Sequence, residues 1–133
     1  CDLKNDYSTV SVLQGGKTID TGSTKVGSFI SDHVKTSIGT LLNTGSIIGT
    51  MAILVATGAP LPKYIPPFAW FLNGAVNKGF GLNPLIDTAR VALSRRKVQL
   101  TEADEKLLRH VFELTAADRD AHVRRAMKTH AAR

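Results

Sequence analysis

His33 is the one histidine within the most regular part of the chain, and it stands between Asp32 and Val34. An imidazole changes charge near neutrality, so His33 is a candidate general base. It would take the proton from a hydroxyl or amine attacking an acyl carrier. The residues leave a second reading open, a surface histidine with no chemical role. Asn43 carries a side-chain amide that can polarise an acyl carbonyl. It can equally turn a corner, because asparagine tolerates a left-handed backbone. Asn5, Asp6 and Tyr7 form a further polar cluster near the start. Other chemistries lack their residues: there is no HExxH or CxxC and no set of Cys, His and carboxylates at ligand spacing, so no metal site is expected. Neither a phosphate-binding Walker motif nor a dinucleotide fingerprint occurs. The basic residues of the last helix have no interleaved aromatics and no groove-reading motif, so nucleic acid is not expected as a partner.

The elements that must position these residues follow from spacing. Residues 24–59 divide into six blocks of six: TKVGSF, ISDHVK, TSIGTL, LNTGSI, IGTMAI and LVATGA. Their first positions, Thr24, Ile30, Thr36, Leu42, Ile48 and Leu54, are mostly aliphatic. Their fifth positions, Ser28, Val34, Thr40, Ser46, Ala52 and Gly58, are small or β-branched. A helix does not repeat every six residues, and glycine at this frequency weakens one long strand. Short strands joined by tight turns fit, which points to a solenoid of β-coils. An ordinary sandwich with accidental periodicity is the alternative. Ile30, Leu42, Ile48 and Leu54 are expected to stack inward and His33 and Lys35 to point outward. Leu41, Ile47 and Ile53 would form an outer aliphatic stripe that wants a cover, either a second subunit or a docked helix.

On either side the pattern changes. Before the repeat, a strand-like run from Tyr7 to Leu13, the turn Gln14-Gly15-Gly16-Lys17 and a second short strand read as a hairpin. After it, Pro60, Pro62, Pro66 and Pro67 interrupt the period, and Phe68, Trp70, Phe71 and Phe80 follow. This segment is expected to cross and plug the end of the coils; the alternative reading is the lip of a pocket or a subunit contact. Residues 83–99 read as a helix with Asn83 as cap, Pro84 at its first position and Asp87 in its first turn. Thr101 and Asp104 make a near capping box for a second helix. Thr115 and Asp118 repeat that signal for a third, which is so polar that it is expected to lie exposed or fray.

Bulk properties bound the rest. The chain has 133 residues, 17 basic against 11 acidic, for a net charge of +6. That balance favours acidic small molecules or a polyanion. A lone Cys1 excludes an internal disulfide and suggests a reducing compartment. With no run of 18 apolar residues and no signal pattern, a cytoplasmic location without a membrane partner is expected. A start at Cys1, followed by a polar run, suggests a piece of a longer chain.

The run TKVGSFISDHVKTSIGTLLNTGSIIGT resembles the hexapeptide-repeat part of left-handed β-helix acyltransferases. With CDLKNDYSTVSV, QGGKTIDTG and PKYIPPFAW it resembles the C-terminal domain of bifunctional sugar-1-phosphate nucleotidyltransferase/acetyltransferase proteins, the GlmU-like group, over residues 1–82. The resemblance implies a mainly β fold. Residues 1–82 would be a left-handed parallel β-helix (hexapeptide repeat), and residues 83–133 a C-terminal α-helical extension. It implies a homotrimer with acetyl-CoA in the groove between neighbours, and a phosphorylated amino sugar or nucleotide sugar as acceptor. His33 and Asn43 are then the catalytic candidates, and Lys25, Lys35, Thr44 and Thr57 the contacts for acetyl-CoA. Mg²⁺ would belong only to an upstream nucleotidyltransferase domain. Where the family has an Asn-Tyr-Asp-Gly stretch this chain reads Asp2-Leu3-Lys4-Asn5, and the family's own general-base histidine maps upstream of it. That departure supports the alternative of a non-catalytic trimerising or regulatory module.

Overall fold

The computed structural model describes residues 4–132; the expectations placed on Cys1, Asp2 and Leu3 fall outside them. The first element is the hairpin of β1 (Ser11–Gln14) and β2 (Lys17–Asp20). Gln14 pairs with Lys17 across a two-residue loop, Gly15-Gly16, both with positive φ (56° and 76°). That is the backbone which suits the twist of antiparallel strands, and glycine adopts it without a steric penalty.

Two parallel ladders follow. One runs in the order β3 (Ser28–Ile30), β5 (Ser46–Ile48), β7 (Tyr64–Ile65). The other runs β4 (Lys35–Thr36), β6 (Ile53–Leu54), β8 (Trp70–Leu72) and ends on antiparallel β9 (Ala75–Asn77). Partners on the first two passes lie 18 residues apart, Ser28 with Ser46 and Lys35 with Ile53. On the next pass the offset is 17, Ile47 with Tyr64 and Ile53 with Trp70. The residue is lost between Leu54 and Tyr64, in the proline-rich stretch. The Pro/aromatic segment is therefore no plug: β7 and β8 are the last pass of both parallel ladders.

Inside the ladders the core is small and apolar. Ile48 faces Ile65, and Leu54 faces Phe71, all buried, with Ala52 and Ala69 between the two walls. Gly49 lies so close to the backbone of Pro67 that a Cβ has no room. Leu42 and Val34 pack at the margin of this core. Ile30, expected inside with Ile48, is 53% exposed, because β3 is the edge of its sheet and no pass covers it.

The expected left-handed β-helix, and with it the mainly β fold class, is overturned. The described residues are mixed α/β, 33% helical and 21% strand, in sheets of two to four strands, none of them closed. The physical reason lies on the third side of the passes. There Gly45 N–H reaches Gly27 O (2.6 Å), and Leu61 N–H reaches Leu41 O (2.9 Å). Side chains supply the remaining bonds: Asn43 Nδ2 donates to Leu61 O (2.7 Å), and Gly27 N–H donates to Thr44 Oγ1 (3.2 Å). Pro60 and Pro62 have no N–H to give. Isolated bonds form there instead of a third ladder.

Three helices cover one flank: α1 (Leu82–Ser94), α2 (Glu102–Leu114) and α3 (Ala116–Ala131). α1 begins after Gly81, not at Asn83, whose Oδ1 accepts instead from Arg109 (3.0 Å). α2 has the reciprocal capping box: Asp104 N–H donates to Thr101 Oγ1 (3.1 Å), and Thr101 N–H to Asp104 Oδ2 (2.9 Å). The Thr101 hydroxyl, which also donates to Asp104 Oδ2 (2.7 Å), and then the Thr101 N–H hold the Asp104 carboxyl below its usual pKa. Thr115 makes no such cap. Its hydroxyl donates back to Val111 O (2.8 Å), and Asp118 is engaged elsewhere.

The helices dock through Met51 and Phe68, which are buried with Leu85, Ala89 and Leu108. Ile53, from the outer stripe, packs on this cluster, so docked helices supply its cover. Arg119 of α3 locks the arrangement. It is 4% exposed, with its guanidinium 3.9 Å from the Phe112 ring centroid and 5.9 Å from that of Phe68. It donates to Phe112 O (3.1 Å), Thr115 Oγ1 (3.1 Å) and Pro67 O (3.4 Å). Burial lowers its pKa, and the nearby charges of Asp120 and Asp118 oppose that shift. α3 is tied down twice more, by the Tyr64 hydroxyl donating to Asp118 and by a Lys78–Asp120 ion pair (3.2 Å). It packs on β9 and does not stand free.

Replacing Arg119 by Ala should lower unfolding free energy by about 3 kcal/mol, because buried carbonyls lose their donor and the aromatic rings their cation. Urea denaturation measures this, and a loss under about 0.5 kcal/mol would show that the helices dock without it. Tyr64 gives a pH signature. Burial first, then the bond to Asp118 and its charge, raise the Tyr64 pKa above the usual tyrosine value. Below about pH 10 both folded and unfolded chains keep the phenol protonated, so its stabilisation is whole. Above that pH the unfolded chain ionises first, and this stabilisation is lost as pH rises towards the folded value. Tyr64→Phe should therefore flatten the decline in stability above about pH 10 relative to wild type.

Candidate functional site

The turn between the ladders repeats on each pass. His33, Met51 and Phe68 occupy equivalent corners, each with a positive φ (57°, 58° and 60°). A non-glycine residue in that region carries a steric cost, met here by the ladders on either side. Phe68 N–H donates to Thr50 O (2.8 Å), and Met51 N–H donates to Asp32 O (2.9 Å). The three side chains thus form a column facing the helices.

Met51 and Phe68 fill their places with apolar volume. His33 does not. It is half-buried and opens onto a cavity of about 540 Å³ between the first pass and the α1–α2 hairpin. Leu93, Leu100, Leu107, Leu108 and Val111 make the apolar wall. Asp32, Thr50 and Asp104 are the other polar groups on the lining. His33 contributes, as a minor cause after the cap bonds, to lowering the Asp104 pKa. No ion pair forms between them among the described residues. The result is an imidazole at the mouth of an apolar space with two carboxylates on the same lining. That arrangement suits proton transfer from a substrate whose body is apolar, because the imidazole stands at the edge of the space where such a body would lie.

The other sequence candidates do not join it. Asn43 is part of a corner: its Nδ2 holds Leu61 O, and its backbone carbonyl accepts from Ser46 Oγ (2.6 Å) and Ser28 Oγ (3.2 Å). Thr44 is 3% exposed and accepts from Gly27 N–H. Lys25 and Thr57 are exposed, and Lys35 is half-buried on β4. None of these five lines the cavity with His33. Asp104 and the apolar face of α2 were missed as site residues, since their sequence signal is that of a capped amphipathic helix and says nothing of what it faces.

A second cluster lies between β7 and α3. Nδ1 of His122 is 2.9 Å from Asp118 O and 3.3 Å from Asp118 Oδ1, and its ring sits 5.0 Å from that of Tyr64. No group of three or more His, Cys, Asp or Glu placed to hold a metal occurs among the described residues. No helix among them is long and apolar enough to cross a membrane.

No protein-family model, no curated protein and no solved structure matches this chain.

The column gives a direct test of whether His33 is there for packing. Methionine already occupies the matching corner on the next pass, so His33→Met should leave the fold intact. Its stability should stay within about 1 kcal/mol of wild type or rise. A drop beyond about 2 kcal/mol in urea denaturation would make His33 a structural residue.

Proposed function

We propose that the chain is the acyltransferase-like domain of a cytoplasmic, homotrimeric sugar-nucleotide biosynthesis enzyme. It would transfer acetyl from acetyl-CoA to an amino-sugar phosphate or nucleotide sugar. The observation that carries the proposal is His33 placed on the rim of a cavity with a leucine-rich wall, where the same column elsewhere holds Met51 and Phe68. The similarity of residues 24–50 to hexapeptide-repeat acyltransferases supports the reading. So does the net positive charge, which suits phosphorylated ligands.

The residues present fit the acyl donor in two parts. The leucine-rich wall suits an acyl group and its thioester arm. Arg95, Arg96 and Lys97, exposed between the cavity residues Leu93 and Val98, suit the phosphates. When bound, acetyl-CoA supplies an activated acyl group. His33 accepts the proton released by the attacking amine. The nucleotidyltransferase chemistry, with its Mg²⁺, belongs to another domain of the parent protein.

Asn43 and Thr44 favour a second reading, a non-catalytic trimerising or regulatory module, because their side chains are consumed inside the fold. One set of measurements separates the two. Titration calorimetry should detect acetyl-CoA, and a thiol-release assay should detect acetylation of one member of a panel of amino-sugar phosphates. His33→Gln should lower kcat by about 100-fold or more with little change in acetyl-CoA affinity. Absence of both binding and turnover would leave the module reading.

A further inference from the structure

α3 turns an unusual face towards the body of the protein. His122, Arg125, Ala126, Thr129 and His130 recur at helical spacing and line a groove of about 250 Å³ against the last pass. A helix packed on a domain ordinarily turns its apolar stripe inward. Here Met127 points to solvent, 67% exposed, while two histidines and an arginine face the groove. The floor is apolar, built from Pro62, Phe71, Ala75 and Val76, with Tyr64 at one side. No carboxylate lines the groove among the described residues.

His122 is oriented. Its Nδ1 lies against the Asp118 carbonyl and carboxylate, which places the proton on Nδ1 and leaves Nε2 without a protein partner among the described residues. Tyr64 donates to the same Asp118 and stacks, tilted, on the imidazole ring, so the ring is held on two sides. Arg125 is exposed and makes no ion pair among the described residues. Its planar guanidinium can grip two oxygens of one anion.

We propose that this groove is a binding site for a small phosphate monoester with an apolar or ring-shaped body. Arg125 holds the phosphate, the Nε2 of His122 accepts from the one P–OH of the monoanion, and His130 lies beside it. The body lies on Phe71, Val76 and Pro62. Asp118, behind the His122 ring, fixes the proton on Nδ1 and so keeps Nε2 an acceptor. The site is separate from the His33 cavity and does not rest on the acyl-transfer reading.

The test uses phenyl phosphate, inorganic phosphate and benzoate as probes at equal ionic strength, followed by calorimetry and by the ring NMR signals of His122 and His130. Phenyl phosphate is expected to shift both sets of signals and to bind at least about threefold tighter than inorganic phosphate and tenfold tighter than benzoate. Arg125→Ala should weaken phenyl phosphate binding about tenfold or more. Arg124→Ala, which removes the same charge outside the groove, should change it less than twofold. Equal weakening by both variants would reduce the effect to net charge and overturn the site. So would unmoved histidine signals, or benzoate bound as tightly as phenyl phosphate. Circular dichroism on both variants guards against a fold defect, and Arg125→Lys, which keeps charge but not the fork, should fall between wild type and Arg125→Ala.

Discussion

One buried guanidinium decides how this protein is put together. The ladders alone offer a thin core whose walls are strands of two or three residues, and the helices alone have a single fully apolar contact region. Arg119 joins them by lying between Phe112 and Phe68 and satisfying carbonyls on both sides of the junction. An uncompensated charge in such a place would be costly. Here hydrogen bonds and aromatic faces take over from water. Phe68 can receive the guanidinium because its corner is in the left-handed region, which turns the ring out of the ladder. The strand corner and the buried cation are therefore parts of one joint.

Much of the local structure was readable where a residue's chemistry acts on its own neighbours. Gly15-Gly16 specified the hairpin, and Thr101 with Asp104 specified the start of α2, because both signals are complete within four residues. The six-residue period correctly marked Ile48 and Leu54 as core. It failed where the outcome depends on what stands beside the element. Ile30 has the same place in the repeat as Ile48, yet it is exposed because its strand is an edge. The period also could not say that the third side would hold isolated bonds and no ladder, so the fold class drawn from it was wrong. α3 looked too polar to pack, since composition does not reveal that Arg119 and Asp118 have partners on β7 and its following corner.

The site was legible to the same degree. His33 stood out as the histidine of the repeat, and the structure gives it a cavity. Asn43 and Thr44 carry the right functional groups for acyl chemistry, but the backbone of the neighbouring passes, Leu61 on one side and Gly27 on the other, uses them first. A short polar side chain at a corner is always within reach of unpaired backbone groups, and those groups must be satisfied somewhere. Residue type alone cannot tell that local claim from a substrate's.

Both concave sites follow from the way the helices are attached. The joint grips the second and third passes, at Met51 and Phe68, and holds the helices there through Leu85, Ala89, Leu108 and Arg119. Space therefore opens on either side of it. On one side the helical hairpin overhangs the first pass, where the corner residue is His33. On the other, α3 runs out along β9 beyond its anchor at Asp118. A hydrophobic side chain at either place would have closed the gap, as Met51 does one pass along. In both gaps the chain instead presents imidazoles, with Asp104 near one and Asp118 holding the other. Polar groups at a half-open surface forgo the packing a hydrophobe would provide, and they return chemistry only if a ligand comes to them. These two openings are where recognition is expected, one on either side of the joint that Arg119 makes.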